Sequence, residues 1–452
     1  MLGSLVQGSA LSRFSGLSTD TRKIRAGEIF LAIKGEHFDG HSFVSKALEQ
    51  GAKGLVVHQN FILPKTCGRD VIIIEVNDTL KALGDLAGWW RRQCPAKVVS
   101  ITGSSGKTTT KEMTADILSI GSKTLKNRGN FNNQIGLPLT LLNLQRDHKK
   151  AILELGMNHA GEISRLTRIS NPDVGAIINI GKAHLAGFKN IDDVARAKIE
   201  LIENLSEKSQ LILNGDDHLL MKTAAPFNRQ VMTFGLGKEN TVRAEEIHDL
   251  GSKGIAFKLI YKQYSLPIRL RIPGLHNIAN ALAAAAISIC LDEPLRHIES
   301  GLNQFRGIKG RLSISILPGG TLLVDDTYNS NPSSLKAALE TVKSLMNEVT
   351  EVIVVLGEMM ELGNEAIPAH QEAGRLVAEL MPDLFIVFGE HAPDMLKGAI
   401  KAGMSEKNIK ETASLEEIIK MVKEKIREKN LLLVKGSRLM AMEKIISFFK
   451  KT

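Results

Sequence analysis

Short runs of apolar, β-branched residues alternate with longer amphipathic segments along most of the chain. The strand-like runs are 28–33, 54–57, 71–76, 98–101, 151–155, 174–180, 211–214, 321–325, 351–356, 384–388 and 431–435. Helical spacing is clearest at 42–50, 107–120 and 279–290 and in the segments between the last four strands. Alternating strands and helices are typical of mostly parallel sheets, so the pattern predicts an α/β protein.

The length and the spacing of these elements predict three α/β domains. A chain of 452 residues corresponds to about three domains of roughly 150 residues each. We place a small amino-terminal domain at 1–94, a central domain with a mostly parallel sheet at 95–312, and a Rossmann-like domain at 313–452. Pro95 follows a helical segment and marks the first boundary. No Gly-x-Gly-x-x-Gly run follows the strand that ends before Gly357, which argues against a dinucleotide site.

The most informative stretch is 97–110, where a strand, a turn of small residues and a helix follow one another. Gly103 and Gly106 allow the turn, with Ser104 and Ser105, to direct backbone N–H groups at an anion. The helix amino terminus adds positive potential; Lys107 can reach the β- and γ-phosphates and the Thr108 hydroxyl can hold Mg²⁺. The Walker pattern has glycine where Ile101 stands, so this is a variant that predicts a nucleoside triphosphate site.

Polar residues follow the other central strands, where ligands of parallel sheets gather. Glu154 ends an apolar run and is placed to bind Mg²⁺ directly or from the second sphere. His184 follows the next strand. A lone histidine there would be interpreted as structural, but its position beside a phosphate loop favours a functional role. Lys198 lies on a later helix near acidic residues, so its default interpretation is a surface ion pair.

Two further groups of polar residues leave a choice between ligand contacts and local structure. Asn277 and Asn280 share one helical face, where they could read a purine edge or cap the helix. Three polar loops, 325–332, 357–363 and 435–438, follow strands of the last domain and predict one wall of a cleft. Near the amino terminus, the segments 18–22 and 34–41 are either turns or a clamp for an anion or nucleotide sugar, with Arg22 and Lys34 on phosphate.

Composition and charge narrow the class of protein. The net charge of +9 is dispersed, and only 4% of residues are aromatic, so no nucleic-acid partner is expected. No apolar run reaches the ~20 residues of a membrane span, and no secretory signal is recognised. Three widely spaced cysteines indicate reduced thiols in a cytoplasmic protein. The default expectation for the oligomeric state is a monomer.

Taken together, these motifs resemble the Mur ligases, the ATP-dependent amide-forming enzymes of peptidoglycan assembly, over nearly the whole chain. The matching residues are Thr102–Thr109, Glu154, His184, Gly274, His276, Asn277, Asn280, Arg311, Asp326–Pro332, Gly357–Gly363 and Lys435–Glu443, with Asp20–Arg22 and Asp39–His41. The particular motifs are similar to those of the member that joins D-alanyl-D-alanine to UDP-N-acetylmuramoyl-tripeptide. The Asp-Asn-Pro-Arg motif of the diaminopimelate-adding relative is absent, and Gln134 stands where the family often has Glu.

The resemblance implies ATP and two Mg²⁺ ions, and a role for each matching residue. ATP would be held by Gly103, Ser104, Ser105, Gly106, Lys107, Thr108 and Thr109, with adenine on Asn277 and Asn280, ribose on Asp326 and phosphates near Arg311. The catalytic group would be Lys107, Glu154, His184 and Lys198, and the metal ligands Thr108, Glu154, His184 and a carbamate on Lys198. The UDP end would be held by Asp20, Thr21, Arg22, Lys34 and Asp39 in the amino-terminal domain, with Asn132 and Asn133 as further substrate contacts. The incoming dipeptide, bound by the last domain, would meet Asn329, Asn331, Lys435 and Arg438.

The expected activity is therefore amide formation through an acyl phosphate, which ATP makes from the tripeptide carboxylate. Three rivals remain open at this point. One is another amide ligase of the superfamily, such as a folylpolyglutamate synthase or a different Mur step. The second is a P-loop switch, which would hydrolyse nucleotide without making an amide, and the third a basic nucleic-acid protein, whose binding would depend steeply on salt.

Overall fold

The computed structural model describes residues 3–35, 38–182 and 187–451. The described chain divides into two compact units. One runs up to Pro95 and also contains 127–146 and 168–171; the other contains 96–126, 147–167 and the chain from Pro172 onward. The domain boundaries expected at 94/95 and 312/313 stay a prediction.

The first unit holds a sheet of five short strands among its described residues. The strands are β1 Gly3–Gln7, β2 Leu17–Ser18, β3 Ile29–Leu31, β4 Gly54–His58 and β5 Ile72–Val76. Their order is β1-β5-β4-β3-β2, and all neighbours are parallel except β1 and β5. Leu31, Leu55 and Ile73 are fully buried, so the apolar runs predicted as strands do form the core here.

The second unit begins with a sheet of nine strands in the described chain. They are β6 Lys97–Thr102, β7 Thr124–Lys126, β8 Lys150–Glu154, β9 Val174–Ile177, β10 Gln210–Asn214, β11 Val231–Gly235, β12 Val242–Asp249, β13 Ile255–Tyr261 and β14 Tyr264–Leu270. The order is β14-β13-β12-β11-β10-β9-β6-β8-β7, parallel except for the β12-β13-β14 meander. Since β6 pairs with both β8 and β9, the residues that follow these three strands lie together at one edge.

A third sheet, of six strands, completes the second unit as described. Its strands are β15 Ser313–Ile316, β16 Leu322–Asp326, β17 Val352–Gly357, β18 Leu384–Phe388, β19 Ile409–Thr412 and β20 Leu431–Lys435. The order is β15-β16-β20-β17-β18-β19, with only β15 antiparallel. The loops after β16, β17 and β20 therefore leave the same edge, as the sequence predicted.

The helices lie between the strands in the order that the pattern of apolar positions predicts. They are α1 Val44–Glu49, α2 Thr79–Gln93, α3 Lys107–Gly121, α4 Gly136–Leu141, α5 Glu162–Ser170, α6 Ile191–Glu203, α7 His218–Ala224, α8 His276–Cys290, α9 Leu295–Gln304, α10 Pro332–Leu345, α11 Ala366–Glu379, α12 Ala392–Lys401, α13 Leu415–Lys425 and α14 Glu443–Phe449. The alanines of α8 are buried in one core with Met113 and Ile117 of α3. Small side chains let the two helices approach closely. This brings the start of α8 to the phosphate loop.

The predicted fold class is confirmed: the protein is α/β, the central sheet is mostly parallel, and the amino-terminal and last parts are also α/β. The differences are local. Strand β9 ends at Ile177 instead of residue 180, because the next residues turn to bond the phosphate loop. The meander from β12 to β14 was missed. Its tight turn places Lys262 at φ 51°, where glycine or asparagine would have been the sequence signal.

Candidate functional site

The phosphate loop lies between β6 and α3, as predicted. Gly106 precedes Lys107 with φ 77°, a backbone conformation that glycine adopts without cost. A Cβ atom at Gly106 would also collide with the side-chain oxygen of Asn280. The glycine is thus required both by the turn and by the close approach of α8. Thr109, on the first turn of α3, is half-buried.

Asn179, which follows β9, braces this loop. Its side-chain oxygen accepts the backbone N–H groups of Ser104 and Ser105 at 3.0 and 2.9 Å. Its amide nitrogen donates back to the Ser105 hydroxyl at 3.1 Å. The Ser104 hydroxyl bonds the Gly181 backbone from the same segment. Asn179 was not among the predicted site residues; its place after a strand that pairs with β6 was the available signal.

Lys107 is folded onto its own loop. Its Nζ donates to the Gly103 carbonyl at 2.7 Å, a neutral acceptor. Burial lowers the pKa of Lys107, the nearby Glu154 charge opposes that shift, and the Arg311 charge adds to it. The ammonium can therefore exchange a carbonyl for a phosphate oxygen without first breaking an ion pair.

Thr108 and Glu154 meet at the carboxyl ends of β6 and β8. The Thr108 hydroxyl donates to Glu154 Oε2 at 2.8 Å, and both residues are buried. Lys111, one turn along α3 and fully buried, places its Nζ 4.0 Å from the same carboxylate oxygen and 3.1 Å from Glu112. A hydroxyl and a carboxylate are the oxygen ligands that Mg²⁺ prefers. The described residues contain no group of three or more His, Cys, Asp or Glu side chains able to hold a metal.

Lys198 is buried on α6, so its interpretation as a surface ion pair is wrong. Its side chain is 1% exposed. Burial, and then the charge of Lys107, lower the pKa of Lys198 well below its usual range. Two acidic residues near Lys198 in the sequence have other partners. Asp193 pairs with Arg196, and Glu200 accepts the Gly161 and Ser164 N–H groups at 2.6 and 2.9 Å. The other predicted metal ligand, His184, lies outside the described residues.

The two asparagines of α8 are bonded to each other. Asn280 Nδ2 donates to Asn277 Oδ1 at 3.1 Å, and Asn277 Nδ2 donates to the Pro273 carbonyl at 2.7 Å. Asn280 Oδ1 faces Gly106 and accepts the Thr110 hydroxyl at 3.4 Å. The pair therefore joins the start of α8 to the phosphate loop.

His276, at the first position of α8, faces charged residues of the third sheet. Burial lowers the pKa of His276 to about 4, with the Asp326 charge opposing the shift and the Lys435 charge adding to it. The imidazole is therefore neutral at physiological pH. Its position was quoted in a motif but given no role, and no pattern in the sequence marks it as facing Asp326.

Asp326 and Lys435 form a buried ion pair at the edge of the third sheet. Lys435 Nζ donates to Asp326 Oδ2 at 2.6 Å and to the Asn329 carbonyl at 3.0 Å, and Asp326 Oδ1 accepts the Leu312 N–H. Asn331, another predicted dipeptide contact, is the amino-terminal cap of α10 and accepts the Ser334 N–H at 2.8 Å. Asn329 is exposed.

Two arginines of the predicted site lie near one aromatic ring. The Arg311 guanidinium carbon is 4.1 Å from the centroid of Tyr328, and that of Arg438 is 6.0 Å from it. Arg438 also pairs with Glu443 at 3.2 Å. The Tyr328 ring was not among the predicted site residues.

The residues predicted to hold the UDP end lie in the first unit, where local contacts hold most of them. Arg22 donates from Nε and Nη2 to Asp20 at 2.9 Å each, and these bonds lower the Asp20 pKa to about 2. Asp39 Oδ1 accepts the His41 backbone and ring nitrogens, which lowers its pKa. The same unit contains buried Thr21, and Lys34, whose N–H donates to Thr79. Asn133, next to Asn132, accepts the Ile135 and Gly136 N–H groups on its side-chain oxygen just before α4.

Comparison with known proteins gives matches along most of the chain. The Mur ligase middle domain matches residues 101–288, the glutamate ligase domain of Mur ligases matches 310–438, and the catalytic domain of the Mur ligase family matches 13–91. A UDP-N-acetylmuramoyl-tripeptide–D-alanyl-D-alanine ligase from Escherichia coli (strain K12) is 36% identical over 448 residues, which cover 99% of this chain and 96% of that protein.

Solved structures agree with these matches. A crystal structure of MurF from Acinetobacter baumannii has a TM-score of 0.87 at 35% identity and covers 98% of this chain and 94% of its own. MurF from Thermotoga maritima in complex with ADP has a TM-score of 0.84 at 26% identity, covering 96% and 97%. Separately, no helix in the described part of the chain is long and apolar enough to cross a membrane.

Proposed function

The chain belongs to the Mur ligase family, and we propose that it uses ATP to join D-alanyl-D-alanine to UDP-N-acetylmuramoyl-tripeptide. The main support for this proposal is that Lys107, Thr108 and Glu154 lie together at one edge of the central sheet. The full-length similarity to relatives with this name supports the choice of substrates. The ADP complex of a similar structure supports the choice of nucleotide.

The proposed reaction activates a carboxylate before an amine attacks it. An oxygen of the tripeptide carboxylate attacks the γ-phosphorus of ATP; the bond to the β–γ bridging oxygen breaks, and ADP leaves. The deprotonated amine of D-alanyl-D-alanine then attacks the acyl carbon of the acyl phosphate. The carbon–oxygen bond to phosphate breaks and inorganic phosphate leaves, so one ammonium and one carboxylate yield an amide and a proton.

The main task of the site is to hold negative groups together. A carboxylate and a triphosphate repel each other, so the loop N–H groups and Lys107 have to neutralise charge while they position the γ-phosphate. We assign Gly103, Ser104, Ser105, Gly106 and Thr109 to the phosphate cradle. Arg311, whose charge already acts on Lys107, is also assigned to the phosphates.

Two Mg²⁺ ions are part of the proposal. Thr108 and Glu154 would hold one, and a carbamate on Lys198, with His184, would hold the other; bound Mg²⁺ supplies charge neutralisation on phosphate oxygens. The burial of Lys198 supports the carbamate. The lowered pKa favours the neutral amine, which is the form that reacts with CO₂, and the carbamate would be an anion near the Lys107 charge.

The remaining roles follow the elements that carry the residues. Asn277 and Asn280 are assigned to the adenosine side, and Asp326 to the ribose, although its carboxylate also pairs with Lys435. The UDP end is assigned to Asp20, Thr21, Arg22, Lys34 and Asp39. The muramoyl peptide is assigned to Asn132 and Asn133. The dipeptide is assigned to Asn329, Asn331, Lys435 and Arg438. Arg438 would contact it directly, whereas Asn331 and Lys435 would act by shaping the loop.

The test is a product analysis with an isotope label. The purified protein is incubated with ATP, Mg²⁺, D-alanyl-D-alanine and a UDP-muramoyl-tripeptide whose terminal carboxylate carries ¹⁸O, once with diaminopimelate and once with lysine as third residue. We expect a pentapeptide product and one ¹⁸O atom in the released phosphate. Phosphate without the label would contradict the acyl phosphate, and ADP without a pentapeptide would contradict the ligase function.

A further inference from the structure

Tyr328 lies in the loop between β16 and α10, and its neighbours hold this loop from several sides. The Tyr328 N–H donates to the Gly310 carbonyl at 2.9 Å. The next carbonyl along, that of Asn329, accepts Lys435 Nζ at 3.0 Å. Asn331 then caps α10 with a capping box. The ring thus projects from a backbone that is fixed before and after it.

Two cationic side chains approach this one half-buried ring. Arg311 comes from the segment between the central and third sheets, and Arg438 from the loop after β20. An aromatic face attracts a guanidinium group within about 6 Å of its centroid. Both arginines satisfy that distance, so one ring lies near the two positive groups assigned above to different substrates.

The ring is the described contact that orients the half-buried Arg311. Its Nε is buried and has no hydrogen-bond partner within the described residues, and no ion pair with a carboxylate is found for it there. An arginine without a carboxylate keeps its full charge for a ligand, but it also lacks the usual means of fixing its plane. Stacking on Tyr328 at 4.1 Å supplies that orientation.

We propose that Tyr328 is a positioning residue that presents Arg311 to the ATP phosphates and Arg438 to the terminal carboxylate of the incoming dipeptide. This inference rests on the proposed function, since it takes both substrates from it. It goes further in coupling the two binding steps: one aromatic ring orients a cation for each substrate. The enzyme should then prefer dipeptides with a free carboxylate.

The test compares three substitutions of different shape and electron density. Tyr328→Phe keeps an electron-rich face; 3,4,5-trifluorophenylalanine at the same position keeps the shape of that Phe but removes the attraction for a cation; Tyr328→Leu removes the ring. KM is measured separately for ATP, D-alanyl-D-alanine and the UDP-tripeptide. We expect Phe to behave like the natural enzyme, and the other two to raise the KM of ATP and of the dipeptide roughly three- to tenfold while that of the UDP-tripeptide is unchanged.

Arg438→Met supplies a matched control on the dipeptide side. It should raise the KM of D-alanyl-D-alanine alone, and Tyr328→Leu added to it should raise that value no further. With a dipeptide that ends in a carboxamide, the natural enzyme should show a high KM that neither substitution changes. Thermal melting of every variant checks the fold, and the trifluorinated variant keeps the test valid if Tyr328→Leu does not fold.

Specific results would overturn the inference. One such result is that the Tyr328→Phe enzyme and the trifluorinated enzyme have the same KM values. Another is that the KM values of ATP, the dipeptide and the UDP-tripeptide all rise together, as expected if the ring has only a structural role. Additive effects of Tyr328→Leu and Arg438→Met on the dipeptide would also contradict it. In each case the natural enzyme still makes the pentapeptide, whereas failure of the proposed function would appear as no pentapeptide from the natural enzyme.

Discussion

The Asp326 carboxylate and the Lys435 ammonium lie 2.6 Å apart at the edge of the third sheet, and both side chains are buried. They end neighbouring parallel strands, β16 and β20, in direct register. The pair therefore fixes the point from which the loop with Tyr328 and the loop with Arg438 both leave.

Breaking this pair should be costly. Lys435→Met leaves the Asp326 charge buried without its partner, so we expect the free energy of unfolding to fall by about 3–5 kcal/mol. The double substitution Asp326→Leu with Lys435→Met removes both charges and should recover part of that loss. Urea unfolding of the two proteins measures the difference, and a double variant less stable than Lys435→Met would contradict this account.

Lys107 should be required for the transfer of phosphate. Lys107→Ala removes the cation closest to the expected γ-phosphate, so we expect ADP formation to fall at least about a hundredfold. The melting temperature should change little, because Lys107 Nζ donates to carbonyl groups of its own loop, at Gly103 and Ser104. A rate of ADP release equal to that of the natural enzyme would show that this loop does not bind the reacting phosphate.

Asn179 should tune the phosphate loop. Asn179→Ala removes the acceptor for two loop N–H groups, so the loop loses its order and the KM of ATP should rise roughly tenfold. Asn179→Asp keeps the acceptor oxygen, but it loses the donor to Ser105 and adds a negative charge, so it should weaken ATP binding more than Asn179→Ala does. Titration calorimetry with Mg²⁺ and a non-hydrolysable ATP analogue measures the nucleotide affinity of the two variants. An unchanged affinity in Asn179→Asp would argue against phosphate at this loop.

Lys198 offers a test of the carbamate. Lys198→Ala should abolish ligation, and short carboxylates such as acetate or propionate should restore part of it, because they return an anion to the buried site. The natural enzyme should lose activity in buffer freed of CO₂ and regain it with bicarbonate. If Lys198→Arg is as active as the natural enzyme, an anion is not needed there.

The histidine at the start of α8 should make stability depend on pH. Since the folded pKa of His276 is about 4, below the ordinary value near 6.5, the unfolded chain binds more protons between these two values. Stability contributed by the neutral imidazole is therefore present above pH 6.5 and lost as pH falls towards 4. His276→Gln should reduce this loss of unfolding free energy by about 1–3 kcal/mol. Urea unfolding of both proteins at pH 7 and pH 4.5 measures it. An equal loss in the two proteins would exclude His276 as its source.

Much of this molecule follows from local patterns in the sequence. The strand from Lys97 to Thr102, the turn at Gly106 and the helix from Lys107 could be predicted because each depends on neighbours in the chain: β-branched residues, a glycine with positive φ, and helical spacing. The common edge of the loops after β16, β17 and β20 also followed, since parallel strands end on one side.

What the sequence alone could not decide depends on contacts between distant segments. Lys198 looked like a surface lysine because its neighbours along the chain are acidic, yet the packing of α6 buries it beside Lys107. Asn179 braces Ser104 across two adjacent strands, and Tyr328 gathers arginines that are 127 residues apart in the chain numbering, 311 and 438. Burial and pairing across a sheet are set by tertiary structure, and these determine which charges are free to meet a substrate.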